Sequence, residues 1–224
     1  LIVARATNPP FVMLVIYAIC FCVAALTVSS LSSTSETILM CVMIEIDLDK
    51  RPRNVQIEDA INLSDGIYAK YIGIRLKISS LSISLDSLIE YNFSTGTDVR
   101  ILSFSKNLRK FKGNITPDLY HLFMESYAAS DGAAGRGLLG SACDSNSVSV
   151  SMHDNNISRK VLVICHEIGH NFNANHSDAS NCGQSTGSIM CPSAGSGLTF
   201  NFTETNVIKT YINNKVKNTN LNAC

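Results

Sequence analysis

Eleven residues constrain this chain more than any others: His166-Glu167-Ile168-Gly169-His170-Asn171-Phe172-Asn173-Ala174-Asn175-His176. The chain has only five histidines in 224 residues, and three of them fall here. Residues four apart lie one turn apart on the same face of a helix, so His166 and His170 can grip one metal ion from one side. Glu167 sits beside the first ligand and cannot easily join it, but it can reach a water bound to that ion. His176 is too far along for the same face. The chain must leave the helix near Asn173 and turn back to bring a third imidazole to the metal. Three neutral imidazoles and an open fourth position describe a catalytic zinc site, whereas a structural site closes all four positions. A helix whose histidines merely face solvent would not need so demanding a spacing.

Two further stretches bear on this one. Met190 stands fourteen residues past His176, within Ser188-Ile189-Met190-Cys191-Pro192. A methionine alone is more often core filler. Upstream, residues 135–144 are rich in glycine and read by themselves as a surface loop, while 147–151 alternate small polar and apolar residues as a half-buried strand does. Taken together, the zinc motif, the sequence around Met190 and the 135–151 stretch resemble the metzincin zinc metallopeptidases, and His-Glu-Ile-Gly-His-Asn-Phe resembles their adamalysin (reprolysin, ADAM-like) branch. The resemblance covers about residues 37–216 and is strongest over 119–192. The family's helix-ending glycine is Asn173 here. That position takes a left-handed backbone, which Gly adopts freely and Asn tolerates next best.

The resemblance implies an α/β zincin (metzincin) catalytic domain. A mixed, twisted sheet would carry the active-site helix, and a small C-terminal subdomain after His176 would contain the Met-turn, with Met190 under the zinc histidines. Zinc would be held by His166, His170 and His176. Glu167 would take a proton from the zinc-bound water and pass it to the leaving amine, so that peptide bonds are hydrolysed. An edge strand near 138–141 would align an extended peptide substrate by strand addition, and 192–200 would shape the pocket beyond the cleaved bond. The same resemblance pairs Cys143 with Cys224. Cys182 and Cys191 flank a short loop and can pair, which leaves Cys41 and Cys165 either paired or free. Cys41 stands in the first strand where a calcium-binding carboxylate would be expected, which argues against structural calcium. Asp178 is expected to be a loop carboxylate that supports the turn, and His121 and His153 to be surface or sheet histidines. No prodomain fits in 29–37, so latency by the family's cysteine switch is not expected.

Composition bears mainly on compartment. Residues 11–28 are apolar without a charge and follow Arg5. As a helix they would reach about 27 Å, close to a hydrocarbon core and longer than most signal-peptide cores. Residues 1–30 are therefore a cleaved signal peptide or an N-terminal anchor, with a buried core helix as a third reading. Residues 31–36 form a linker, and 37–224 the peptidase domain. Six cysteines beyond the apolar run and six Asn-x-Ser/Thr sites (Asn62, Asn92, Asn114, Asn156, Asn175 and Asn201) suit an exported chain. A glycan at Asn175 would obstruct the cleft, so that site is expected to stay unmodified. The expected location is secreted or membrane-anchored with the catalytic part outside the cytoplasm, and the expected state is a monomer. Formal net charge is zero, and nothing points to nucleic acid. Two rivals stay open: a non-catalytic zinc-holding adhesion or binding module, against which Glu167 argues, and a peptidase of another metzincin branch.

Hydrophobic patterning gives the elements. Strands are expected over 38–47, from 72 to 78 and over 119–124. Helices are expected over 55–71, 98–111 and 158–172, and a last one around 207–216 entered through Thr203 as N-cap.

Overall fold

The computed structural model describes residues 36–44, 54–83, 118–124, 132–144, 147–152, 154–182, 187–192 and 197–219. The expected helix at 98–111, the apolar run at 11–28, His153 and Cys224 lie outside them. Among the described residues no helix is long and apolar enough to cross a membrane.

Strand β1 (Glu36–Ile44) leads through helix α1 (Asn54–Tyr71) to β2 (Ile74–Ile83), and β1 and β2 pair in parallel. β3 (Leu119–Met124) pairs in parallel with β1 on its other side, and β5 (Val148–Met152) pairs in parallel with β3. The short β4 (Gly135–Gly137) pairs antiparallel with β5 and closes the order β2-β1-β3-β5-β4. The sheet is therefore mixed, with β4 as one edge. Helix α2 (Ile157–Asn171) follows β5, a one-turn helix α3 (Ala179–Cys182) follows the zinc motif, and α4 (Phe202–Thr219) comes last. The stretch after His176 belongs to the same compact unit as the sheet, Glu36–Cys224.

Helix α1 buries Ile57, Ala60, Ile61 and Tyr68 fully and Ile67 and Tyr71 in part, and the buried four join Val161, Leu162, Ile164, Cys165 and Ile168 of α2 in one core. The Tyr68 hydroxyl donates to the Cys165 carbonyl at 2.9 Å, and its ring packs on Phe172 and Phe200. Fully burying such side chains is worth about 1.5–3 kcal/mol each. This cluster therefore sets where the rigid α2 lies. Asp65 on α1 takes a two-pronged ion pair from Arg75 and the Leu76 N–H at 2.7 Å, which fastens α1 to the start of β2.

One expectation fails at β5. The alternating stretch is not half-buried, because Val148 to Ser151 are all buried. The serines go inside because β3 carries a histidine opposite them. His121 bonds the Ser149 hydroxyl through Nδ1 at 2.6 Å and the Ser151 hydroxyl through Nε2 at 2.9 Å, and it stacks edge-on against Phe123. A buried imidazole needs such partners. Desolvation pushes the His121 pKa down to about 3.

Candidate metal centre

Helix α2 begins at Asn156, whose side-chain oxygen accepts from the Ser158 and Arg159 N–H groups. This is an N-cap of ordinary design. Its far end is where the motif turns. The Ala174 N–H bonds the Gly169 carbonyl at 3.0 Å, and the Asn173 N–H bonds the His170 carbonyl at 2.8 Å. Asn173 takes φ +68°. These are the two bonds and the left-handed residue of a Schellman motif, with Asn in the position that glycine usually fills. The chain reverses there and carries His176 back.

The three Nε2 atoms converge. His166 and His170 lie 3.1 Å apart, and His176 lies 3.2 Å from each. A tetrahedral ion with bonds of ~2.0–2.1 Å to imidazole holds such nitrogens about 3.3–3.4 Å apart, so the triangle has the size a metal needs. The tautomers agree with this. His166 Nδ1–H donates to the Ile189 carbonyl at 2.7 Å, and His170 Nδ1–H donates to the Ala174 carbonyl at 2.7 Å. The Nε2 lone pairs of both rings are thus left facing one another, an arrangement that a cation resolves. Burial lowers the His166 pKa to about 4, against the pull of the Ile189 carbonyl, and it lowers those of His170 and His176 as well. Neutral imidazole is the form a metal binds. Among the described residues this is the one cluster of three or more His, Cys, Asp or Glu able to hold a metal ion. Cys165, next to His166, is a buried free thiol in the hydrophobic core, its pKa pushed up to about 12 by desolvation.

Glu167 is 5% exposed and lines the same cleft as the three histidines, a space of about 290 Å³. Burial raises its pKa to about 8, and the charge of Arg136 acts the other way. The edge strand passes beside it. A Cβ on Gly135 would lie 2.7 Å from Glu167 Oε1, and one on Gly137 would lie 2.2 Å from the Glu167 carbonyl oxygen. Only glycine lets β4 run this close to α2. The strand ends earlier than the expected 138–141. From there the backbone bonds to the end of α2: the Gly140 N–H donates to the His170 carbonyl and the Ala142 N–H to the Asn171 carbonyl, both at 2.9 Å. Asn171 Nδ2 donates to the Leu138 carbonyl of the same loop and to the Val148 carbonyl of β5.

Met190 is fully buried, and its sulfur lies against Gly169 on α2, 2.5 Å from where a Cβ would be. The methionine therefore packs against the helix that carries His166 and His170. The loop carrying it is cross-linked by Cys182–Cys191, one of the pairings the sequence allows. Cys143 is also disulfide-bonded.

Two expectations about the supporting residues are corrected. Asp178 is exposed, and the carboxylate that reaches this turn is Glu204. Helix α4 is capped by Asn201, not Thr203: the Glu204 N–H donates to Asn201 Oδ1 at 2.9 Å, and the Asn201 N–H donates to Glu204 Oε2 at 2.8 Å. This reciprocal pair is a capping box. Its sequence signal, Asn-x-x-Glu at 201–204, begins two residues ahead of Thr203, which is exposed.

The mixed sheet, the ligand helix with its reversed end and the buried methionine define a metallopeptidase of the zincin class. The chain belongs to the reprolysin-like metallopeptidase family M12B, whose model matches residues 54–177, just over half of its length. Among solved structures it is similar to archaemetzincin from Methanopyrus kandleri, with 15% identity and a TM-score of 0.56 over 82% of this chain and 99% of that one. At that identity the likeness shows the fold. No curated protein matches the chain. The family implies zinc, and the three-imidazole donor set fits it.

Proposed function

We propose that this chain is a zinc-dependent endopeptidase of extracellular proteins, with His166, His170 and His176 as the metal ligands and Glu167 as the general base. The observation that carries the reading is the convergence of three Nε2 atoms within 3.1–3.2 Å in the cleft that Glu167 lines. Zinc, when bound, supplies Lewis acidity: it polarises a carbonyl and makes a water acidic near neutral pH. The protein supplies the rest. The Ile189 and Ala174 carbonyls hold two of the rings in the tautomer that presents Nε2. The Glu167 carboxylate accepts a proton from the attacking water and delivers it to the leaving amine, a role worth about 100- to 10,000-fold in rate. A cation at the histidines favours the ionised form of Glu167 and so opposes the effect of its burial.

Among the described strands β4 stands last in the order of the sheet, the place where an extended peptide can add as a further strand. Ile189, Cys191 and Pro192 line the same cleft and would contact the side chain beyond the scissile bond. Export, with or without cleavage of the N-terminal segment, is supported by the disulfides of Cys182–Cys191 and Cys143. The test is cleavage-site mapping on a diverse peptide mixture by the purified full chain, with and without a zinc chelator. Chelator-sensitive cleavage within peptide chains is expected. Absence of cleavage by the zinc-loaded protein would leave the binding module as the better reading.

A further inference from the structure

We propose that Glu204, on the C-terminal helix, is a positioning residue for the metal centre. This inference rests on the zinc-site reading above. The Glu204 side chain is buried, and both of its oxygens are used. Oε2 accepts from the Asn201 N–H at 2.8 Å, which completes the helix cap. Oε1 accepts from Asn201 Nδ2, also at 2.8 Å. The cap requires nothing more. Yet two serine hydroxyls also donate to this carboxylate, Ser177 to Oε1 and Ser188 to Oε2.

Those two serines sit where the metal site is assembled. Ser177 directly follows His176, and its N–H donates to the Met190 carbonyl at 2.8 Å. Ser188 directly precedes Ile189, whose carbonyl fixes the His166 ring. The Ser188 hydroxyl also accepts from the Met190 N–H at 3.2 Å. One carboxylate therefore clamps the loop carrying the third ligand to the loop that orients the first. His170 is oriented instead by Ala174, in the turn just past the end of its own helix. A carboxylate is costly to bury unless several donors meet it, and four donors from three segments do so here. Groups that hold ligands in place typically contribute about 10- to 100-fold in metal affinity.

The test is the zinc affinity of the full chain, measured by competition with a chelating dye, for wild type, Glu204→Gln, Ser177→Ala, Ser188→Ala and the Glu204→Gln/Ser188→Ala double variant. Glu204→Gln is expected to weaken zinc binding about 10- to 100-fold. Each serine variant should weaken it by less while leaving helix content, read by circular dichroism, unchanged. The double variant should lose less than the product of the single losses, because the two groups act through one bond. Wild-type affinity in the serine variants, or strictly multiplicative losses, would show that Glu204 is a helix cap only and overturn the inference. If Glu204→Gln does not fold, Ser188→Ala alone decides, since it leaves the cap intact. A wild-type chain that holds no zinc would overturn this inference together with the zinc-site reading, whereas zinc-loaded wild type with unaffected variants would overturn this inference alone.

Discussion

Asn173 shows how a single residue can be read before the fold is known. Its left-handed backbone, φ +68°, follows from the need to turn the chain back toward His176. Asn bears that conformation at modest cost, Gly at none, and a β-branched side chain poorly. Asn173→Gly is expected to melt at or slightly above the wild-type temperature with activity kept. Asn173→Val should lose about 1–2 kcal/mol and much of the activity, and equal stability of Val and Gly in thermal melts would contradict the turn. His121 makes the opposite case. Nothing in its neighbours along the chain marks it as buried, because its partners Ser149 and Ser151 come from another strand. Its consequence is pH dependence. The folded-state pKa of about 3 lies below the unfolded value of about 6.5, so between those values the unfolded chain binds the extra proton. Stability from this group is complete above about pH 6.5 and falls as pH drops through that window, by up to roughly 1.4 kcal/mol per pH unit. In His121→Gln, urea melts should show a shallower loss between pH 6.5 and 4 than wild type. Equal slopes would mean that the imidazole is not buried neutral.

At the scale of elements, local pattern carried most of the information. Helix α1, β3 and α2 follow from periodicity and motif spacing over short windows, and the zinc motif is legible because its histidines lie within eleven residues. What escaped the sequence depends on contacts between distant segments. The edge strand stops at Gly137 because the following loop bonds the C-terminal carbonyls of α2. The expected support from Asp178 comes instead from Glu204, for which the only local trace is the Asn-x-x-Glu cap signal. Gly135 and Gly137 read as loop glycines, yet they set the distance between β4 and α2. Gly137→Ala would place a methyl 2.2 Å from a backbone oxygen of α2, where no side-chain rotation can relieve it. A loss of about 1–3 kcal/mol and a drop in peptide hydrolysis are expected from urea melts and turnover assays. Wild-type values in both would mean that strand and helix do not approach as described.

The whole molecule was legible as a class: a mixed α/β domain with one motif-bearing helix, of the reprolysin-like family. The family match runs from α1 through the zinc motif, while β1 lies before its start at residue 54 and the loop of Met190 and helix α4 lie beyond its end at residue 177. That is where the sequence was least informative about support for the site. Export is a prediction at this scale. Asn62 and Asn156 are exposed, so glycans are expected there when the full chain is made in eukaryotic secretory cells. Asn201 should stay bare, because its Nδ2 donates to Glu204 inside the fold. Peptide mapping by mass spectrometry checks this, and a protein carrying no glycan at either exposed site would count against passage through the secretory route.

The most direct test of the central claim separates metal binding from chemistry in one variant. Purified Glu167→Gln and wild type should be compared for zinc content and for peptide hydrolysis. Both proteins are expected to hold about one zinc per chain, while the variant loses hydrolysis by about 100- to 10,000-fold. Undiminished hydrolysis in a zinc-loaded Glu167→Gln protein would contradict the account.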